Sequence, residues 1–409
     1  MLIVVLSTTL VLAFSALVAL YPSAIAPEVS AALGIPSSAI GLQVSLVFGG
    51  AMLTSLVGGL LTRRLGPCRA SQTALLLLGA GAALMSVPSL LVAVGAALIV
   101  GLGYGMTNPS ASVLLVRFTP PERLGFIFSL KQTGVPLGGM LAGALAPSLA
   151  LGIGWRQGLW LLAGLALLGI IALQFKRHSW DDRREPGLNW RRSPLGGIKV
   201  VWAHKPLRYL AIVTLCFSTV QLSLSSFTVA MLVDDLDVSL IAAGAVMTVV
   251  QASGIAGRLW WGWIADRIGH RLMTLAIIAC CTSVGTVLIY FMSPAWPLAG
   301  VALTLGLFGL AALGWNGVYL AEVARLAPPE RIAEASGACL VFTYGGVLLG
   351  LPTFALLMTF MEHYTDVFGL LTAASLLSLF LLRAAARADD SSPVKDAAKP
   401  RSKPSPRLP

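Results

Sequence analysis

The sequence predicts an all-α polytopic membrane protein, with twelve spanning helices in two pseudo-symmetric bundles of six. Three observations predict it. Of 409 residues, 57% are hydrophobic and 11% charged, with mean hydropathy +0.85; a soluble domain carries about 25% charged residues. Apolar runs of roughly 20 residues, enough for a helix to cross a bilayer, recur along almost the whole chain. One set of polar signals also appears twice, in the same order, about 200 residues apart. A transmembrane β-barrel would alternate over about 10-residue segments, and these runs do not.

In chain order, the first six runs cover roughly 3–24, 38–61, 71–90, 92–116, 124–149 and 157–176. The next six cover roughly 208–233, 239–264, 272–292, 297–323, 332–360 and 365–384. The first run ends in Ala24-Ile25-Ala26, which looks like a signal-peptidase site. It is kept as a span because no Lys or Arg precedes it and it exceeds a signal-peptide apolar core. Residues 1–176 then form one bundle, 177–207 a polar linker rich in Arg, Asp and Trp, and 208–385 the second bundle. Residues 386–409 are Ala, Asp, Ser, Lys and Pro, a composition that cannot bury a core and predicts a disordered tail.

The net charge of +11 does not point to nucleic acid, because the bases mark membrane topology. When loops are assigned alternately, one side holds 25 of the 28 Lys and Arg and the other holds Arg156 alone. The remaining two, Lys131 and Arg258, stand inside spans. The basic side is cytoplasmic by the positive-inside rule, which puts both termini and the linker there, in a cell inner membrane. Glu28, Asp234, Asp235, Asp237, Glu362 and Asp366 mark the opposite side.

Other function classes find little support. Cys68, Cys216, Cys280, Cys281 and Cys339 lie in or beside apolar runs without metal-ligand spacing and read as helix-packing residues. The four histidines sit in loops or at span ends. Gly101-x-Gly103-x-Gly105 lies inside the fourth run with no strand before it, so it is no nucleotide loop. No nucleophile–base set shares a span. The expectation is no enzyme, no metal and no cofactor.

The repeat is carried by particular residues. Arg117-Phe-Thr-Pro-Pro-Glu-Arg123 matches Arg325-Leu-Ala-Pro-Pro-Glu-Arg331, 208 residues on. In both, proline and glutamate occupy the first turn of the next helix, where the missing N–H costs nothing and a carboxylate faces the positive helix end. The same offset relates Asn108 to Asn316. Between the second and third runs of each half lies a glycine-punctuated polar turn. One is Gly59-Leu-Leu-Thr-Arg-Arg-Leu-Gly66, the other Gly262-Trp-Ile-Ala-Asp-Arg-Ile-Gly-His-Arg271.

On these residues the chain resembles the major facilitator superfamily of transporters, whose signature at this turn is close to G-x-L-A-D-R-x-G-R-K. The second copy keeps Gly262, Asp266, Arg267, Gly269 and a basic end at Arg271; the first has Arg63 where the acid belongs. The resemblance implies two six-helix halves with substrate at their interface and alternating access between them. Asp266 is expected near the positive end of a neighbouring helix, span 11 near Arg331. Arg267 and Arg271 are expected to face water and lipid headgroups. Arg63, Arg64 and Arg69 read as topology markers.

Two buried cations are the sharpest candidates for chemistry. Lys131 stands roughly 10 Å into the fifth run and Arg258 roughly 12 Å above the turn at Asp266, at similar depth from opposite halves. An ionisable residue at such depth is costly unless it faces a cavity or partner. The segment Arg258-Leu-Trp-Trp-Gly-Trp-Ile-Ala-Asp266 resembles the span-8 segment of monocarboxylate transporters, which implies an arginine that holds a substrate carboxylate. The guanidinium fork suits that task. Gln132, Asn108, Asn316, Gln251 and Tyr344 are candidates to orient the ligand, with Trp315 and Tyr319 beside them. Glu322 and Glu334 are expected to pair with Arg325 and Arg331. The expected function is secondary transport of a small organic anion, a monocarboxylate moved with a proton, by a monomer in contact with membrane lipid. The runner-up is an exporter of drugs or metabolites; a non-transporting membrane sensor or scaffold is the alternative of another class.

Overall fold

The computed structural model describes residues 1–35, 40–188 and 196–390, all helical or loop with no strand among them. The first half contains span 1 (Leu2–Ala24), span 2 (Ile40–Leu65), span 3 (Pro67–Met85), span 4 (Leu90–Phe118), span 5 (Leu124–Gln132 and Gly134–Gly152) and span 6 (Trp155–Gln174). The second contains span 7 (Lys205–Asp234), span 8 (Leu240–Ile268), span 9 (Arg271–Tyr290), span 10 (Leu298–Ala312 and Asn316–Leu326), span 11 (Ile332–Leu357) and span 12 (Tyr364–Asp390). Eleven of these are long and apolar enough to cross a membrane among the described residues. Span 8, at 29 residues, is the twelfth long helix and packs against span 10.

The repeat read from the sequence is a repeat in space. Span 2 packs on span 4 as span 8 does on span 10. Span 1 packs on span 5 as span 7 does on span 11, and span 3 on span 6 as span 9 does on span 12. Both Pro-Glu-Arg turns, Pro121–Arg123 and Pro329–Arg331, form single 3₁₀ turns that open spans 5 and 11. Lipid can meet the apolar side chains left outward, such as Leu91, Leu151 and Phe380, because a helix pairs its backbone groups within itself.

Two breaks position the site. Span 5 is interrupted at Thr133 and span 10 between Ala312 and Asn316. On the side of the basic loops, the short pieces Leu124–Gln132 and Asn316–Leu326 pack against each other, across the two halves. Beyond the breaks, Gly134–Gly152 and Leu298–Ala312 pack chiefly within their own halves. The molecule is thus closed on the basic side and parted on the acidic side.

The linker expected over 177–207 carries two short helices, Arg177–Trp180 and Gly196–Ala203. The second lies on span 11, with Trp202 stacked on Phe342 at 5.7 Å between ring centres. The tail expected to be disordered from residue 386 is helical through Asp390. Its Asp389 bonds Arg325 at 2.9 Å, which holds this last turn to span 10. The rest of the tail lies outside the described residues.

Candidate functional site

Between the halves, at the level of the two breaks, lies a cavity of about 100 Å³. Phe48, Tyr104, Asn108, Gln132 and Val135 line it from spans 2, 4 and 5. Ser218, Gln221, Arg258, Trp315, Asn316 and Tyr344 line it from spans 7, 8, 10 and 11. No carboxylate is among its lining residues.

Arg258 is 4% exposed and ties both breaks together. In an unbroken helix the carbonyl of Gln132 would accept from residue 136, but that residue is proline and has no N–H. The freed oxygen accepts from Arg258 Nη1 at 2.5 Å, across the interface between halves. Arg258 Nε donates to the carbonyl of Leu313, at the break in span 10, at 3.1 Å. Trp261 Nε1, one turn along, donates to the carbonyl of Leu310 at 2.9 Å. Nη2 of Arg258 has no acceptor among the described residues. The side chain faces the cavity with that donor unspent.

Lys131 is only 1% exposed and does not line the cavity. It stands one layer behind, where Nζ donates to Asn108 Oδ1 and to Gln132 Oε1, the latter at 3.3 Å. An ammonium has donors only, so both amides must turn their carbonyls toward it. Their N–H₂ edges are then left as donors for the cavity that both residues line. Lys131, expected to bind substrate directly, is not among the cavity's lining residues; Asn108 and Gln132, which it bonds, are. Gln132 is the shared node, with its side chain on Lys131 and its main chain on Arg258.

Asn316 Nδ2 donates to Gln221 Oε1 at 3.0 Å, and both line the cavity. Tyr344 packs its ring on Phe48 at 5.8 Å, from span 11 to span 2. Its hydroxyl lies close to Asn108 yet makes no bond of hydrogen-bonding geometry, and Trp315 Nε1 is likewise unpaired. Tyr319 is buried but off the cavity, and Gln251 is exposed on span 8. Gln221 was not a sequence candidate, though a glutamine amid an apolar run was the signal for it.

The glycine-punctuated turns form the seam on the basic side. Asp266 accepts from the N–H groups of Gly125 and Phe126, at 2.8 and 2.7 Å. It caps span 5, not span 11 as expected, because span 8 packs against span 5 of the other half. Arg271 does not face solvent: it donates to the carbonyl of Pro121 at 2.7 Å and to Asp266 at 3.3 Å. Arg267 is exposed as expected, and Gly269, with φ 74°, ends span 8 in a left-handed cap. Gly262 permits the crossing, since a Cβ there would lie 2.5 Å from Ser129 Oγ.

At the equivalent place in the first half the polarity is reversed. Arg63 donates to Glu334 of span 11 at 2.7 Å and to Glu185 of the linker at 2.8–3.2 Å. Arg63 is therefore more than a topology marker. Arg64 reaches the linker, bonding the Leu188 carbonyl at 3.0 Å, and Arg69 stays local, on Gln72 at 2.8 Å. Glu334 also holds Arg331, as Glu322 holds Arg325, both as expected. A Cβ at Gly59 would lie 2.2 Å from Glu334 Cα.

The linker supplies two more carboxylates to this half. Asp181 accepts from the N–H groups of Cys68 and Arg69, at 2.7 and 3.2 Å, against Gly66 with its φ of 91°. Burial holds the Asp181 carboxyl above its ordinary range, with those two N–H groups opposing. Asp182 bonds Arg117 in a bidentate pair, which holds its carboxyl below the ordinary range.

The Major Facilitator Superfamily model matches residues 5–351. An uncharacterised MFS-type transporter, MT3072, of Mycobacterium tuberculosis (strain CDC 1551 / Oshkosh) is 27% identical over 320 residues, covering 76% of this chain and 69% of that protein. The membrane sensor protein UhpC of Salmonella typhimurium (strain LT2) is 25% identical over 305 residues, 68% of this chain and 67% of that one. Among solved structures, the transporter FucP in the outward conformation superposes with a TM-score of 0.75 at 14% identity, over 93% of this chain and 98% of that one.

Proposed function

The chain belongs to the Major Facilitator Superfamily, and from that premise we propose that it carries a small organic anion across the membrane by alternating access, coupled to a proton. One observation carries the substrate class. Arg258 is buried at the cavity between the halves, held by two backbone carbonyls, with a guanidinium donor left over and no carboxylate lining the space. A guanidinium keeps its charge, and a buried charge without a counter-ion is costly. An anionic substrate would supply the missing charge. Lys131 adds to the positive field from behind, through the amides of Asn108 and Gln132.

On this reading the protein lies in the cell inner membrane as a monomer, with both termini cytoplasmic. The sealed basic side is then the cytoplasmic one and the cavity faces outward. Reclosing on the acidic side while the seam at Asp266 and Arg63 opens would complete the cycle. The test is counterflow in proteoliposomes loaded with small carboxylates. Exchange in the wild type and its loss in Arg258→Gln are expected. Exchange that survives Arg258→Gln, or that prefers cationic drugs, would sink the anion reading.

The likeness to a membrane sensor favours a second reading, in which the chain binds the same ligand without moving it. Ligand-induced stabilisation without counterflow would select that reading.

A further inference from the structure

We propose that the Gln221–Asn316 amide pair reads a hydroxyl group of the substrate, which is therefore a hydroxylated carboxylate rather than a plain alkyl one. The inference rests on the anion reading of the same cavity. It comes from an acceptor, not from the cations. Asn316 spends one N–H on the carbonyl of Gln221, and its own carbonyl has no donor among the described residues. Turning both amides over moves the free carbonyl to Gln221 but does not remove it, so the conclusion does not depend on how either amide is oriented.

A free carbonyl edge at a cavity needs a donor. An alkyl carboxylate offers acceptors only. An ammonium group would donate, but Arg258 already faces the cavity, Lys131 lies behind it, and no carboxylate lines it. A neutral donor remains, and of these we take the O–H over an amide N–H. It also suits the other half of the pair, because a hydroxyl accepts as well as donates and Gln221 keeps free N–H groups. The cavity is small, about 100 Å³, so short acids are the ones to test. If water alone satisfied the edge, the hydroxyl would make no difference to affinity.

The test is stabilisation of the purified full-length protein by a matched series: propionate, 2-hydroxypropionate, 2,3-dihydroxypropionate and the uncharged propane-1,2-diol. The hydroxylated acids are expected to bind at least about tenfold more tightly than propionate. In the double variant Gln221→Leu/Asn316→Leu that ratio should fall to about one. Equal affinities in the wild type, all lost in Arg258→Gln, would overturn the hydroxyl and leave the anion reading standing. Stabilisation by the diol alone, or by none of the acids, would overturn the anion reading and this inference with it. The wild-type series decides the matter even if the double variant does not fold.

Discussion

The two glycine-punctuated turns of this chain occupy equivalent places and close the same seam with opposite charges. In the second half a carboxylate, Asp266, sits on the backbone N–H groups that open span 5. In the first half a guanidinium, Arg63, sits between Glu334 of span 11 and Glu185 of the linker. The first arrangement is complete within the turn and its partner helix, because a helix N-terminus is already positive. The second needs an acid on span 11 and gains another from the linker. The lesson is that the repeat preserves the crossing of helices, which glycine permits, and leaves the chemistry of the contact free to invert.

The largest effect should come from filling the crossings. Gly59→Val would force a side chain into the backbone of Glu334 and Ala333 at 2.2–2.7 Å, while Gly262→Val meets the Ser129 side chain at 2.5–2.6 Å and backbone only at 3.0 Å. Overpacking costs about 1–3 kcal/mol and occasionally more; Gly59 is expected at the top of that range. Spin-label distances across spans 2 and 11, and across spans 5 and 8, should show the first seam opening more. Equal opening would mean that contact chemistry, not close approach, sets the seam.

Next is Asp266→Ala, which strips two charge-assisted bonds from the end of span 5. Roughly 2–3 kcal/mol is expected, or a shift of about thirty- to a hundred-and-fifty-fold in the closed-to-open ratio, readable in the same distances. Salt should alter it little, since its two shortest bonds are to backbone N–H groups and Arg271 stands farther off at 3.3 Å. For Arg63 and Glu334 the measure is a double-mutant cycle with Arg63→Gln and Glu334→Gln. A coupling of about 1–3 kcal/mol is expected for this shielded pair. Glu185→Gln should cost less than about 1 kcal/mol and vanish at high salt, because that partner is 46% exposed. A larger effect at Glu185 than at Glu334 would make the linker the true partner of Arg63.

The smallest effects separate two adjacent linker acids by the sign of their pH response. Asp182 is held below the ordinary carboxyl range by Arg117. Its contribution is present above the unfolded value of about 3.9 and is lost as pH falls through its lower folded value. Asp181 is held above that range by burial. Its contribution is full below about 3.9 and is lost as pH rises through its raised folded value. Unfolding followed against pH in Asp181→Asn and Asp182→Asn should remove opposite slopes; slopes of the same sign would contradict the assignment.

Much of this molecule was legible in one dimension. Spans follow from apolar length, and the two halves follow from matched signals such as the Pro-Pro-Glu-Arg turns. Asn108 and Asn316 were paired by the repeat offset, and both line the cavity. The role of Pro136 was half legible: its spacing from Gln132 fixes which carbonyl is freed, but nothing in the spacing says which donor arrives. Gln221 was passed over for Gln251 because a polar residue in an apolar run does not reveal its helix face.

What the sequence determined by itself, then, was the solvent and the symmetry. A backbone in lipid must pair within its own helix, so composition and run length settle the architecture almost alone. What the tertiary structure decided was partnership across the halves. Asp266 caps span 5, Arg63 reaches span 11, and Lys131 stands behind the cavity wall while Arg258 lines it. The first two contacts join residues more than a hundred positions apart, and side-chain direction around a helix axis, set by how the bundles cross, chooses among partners that the sequence leaves equivalent.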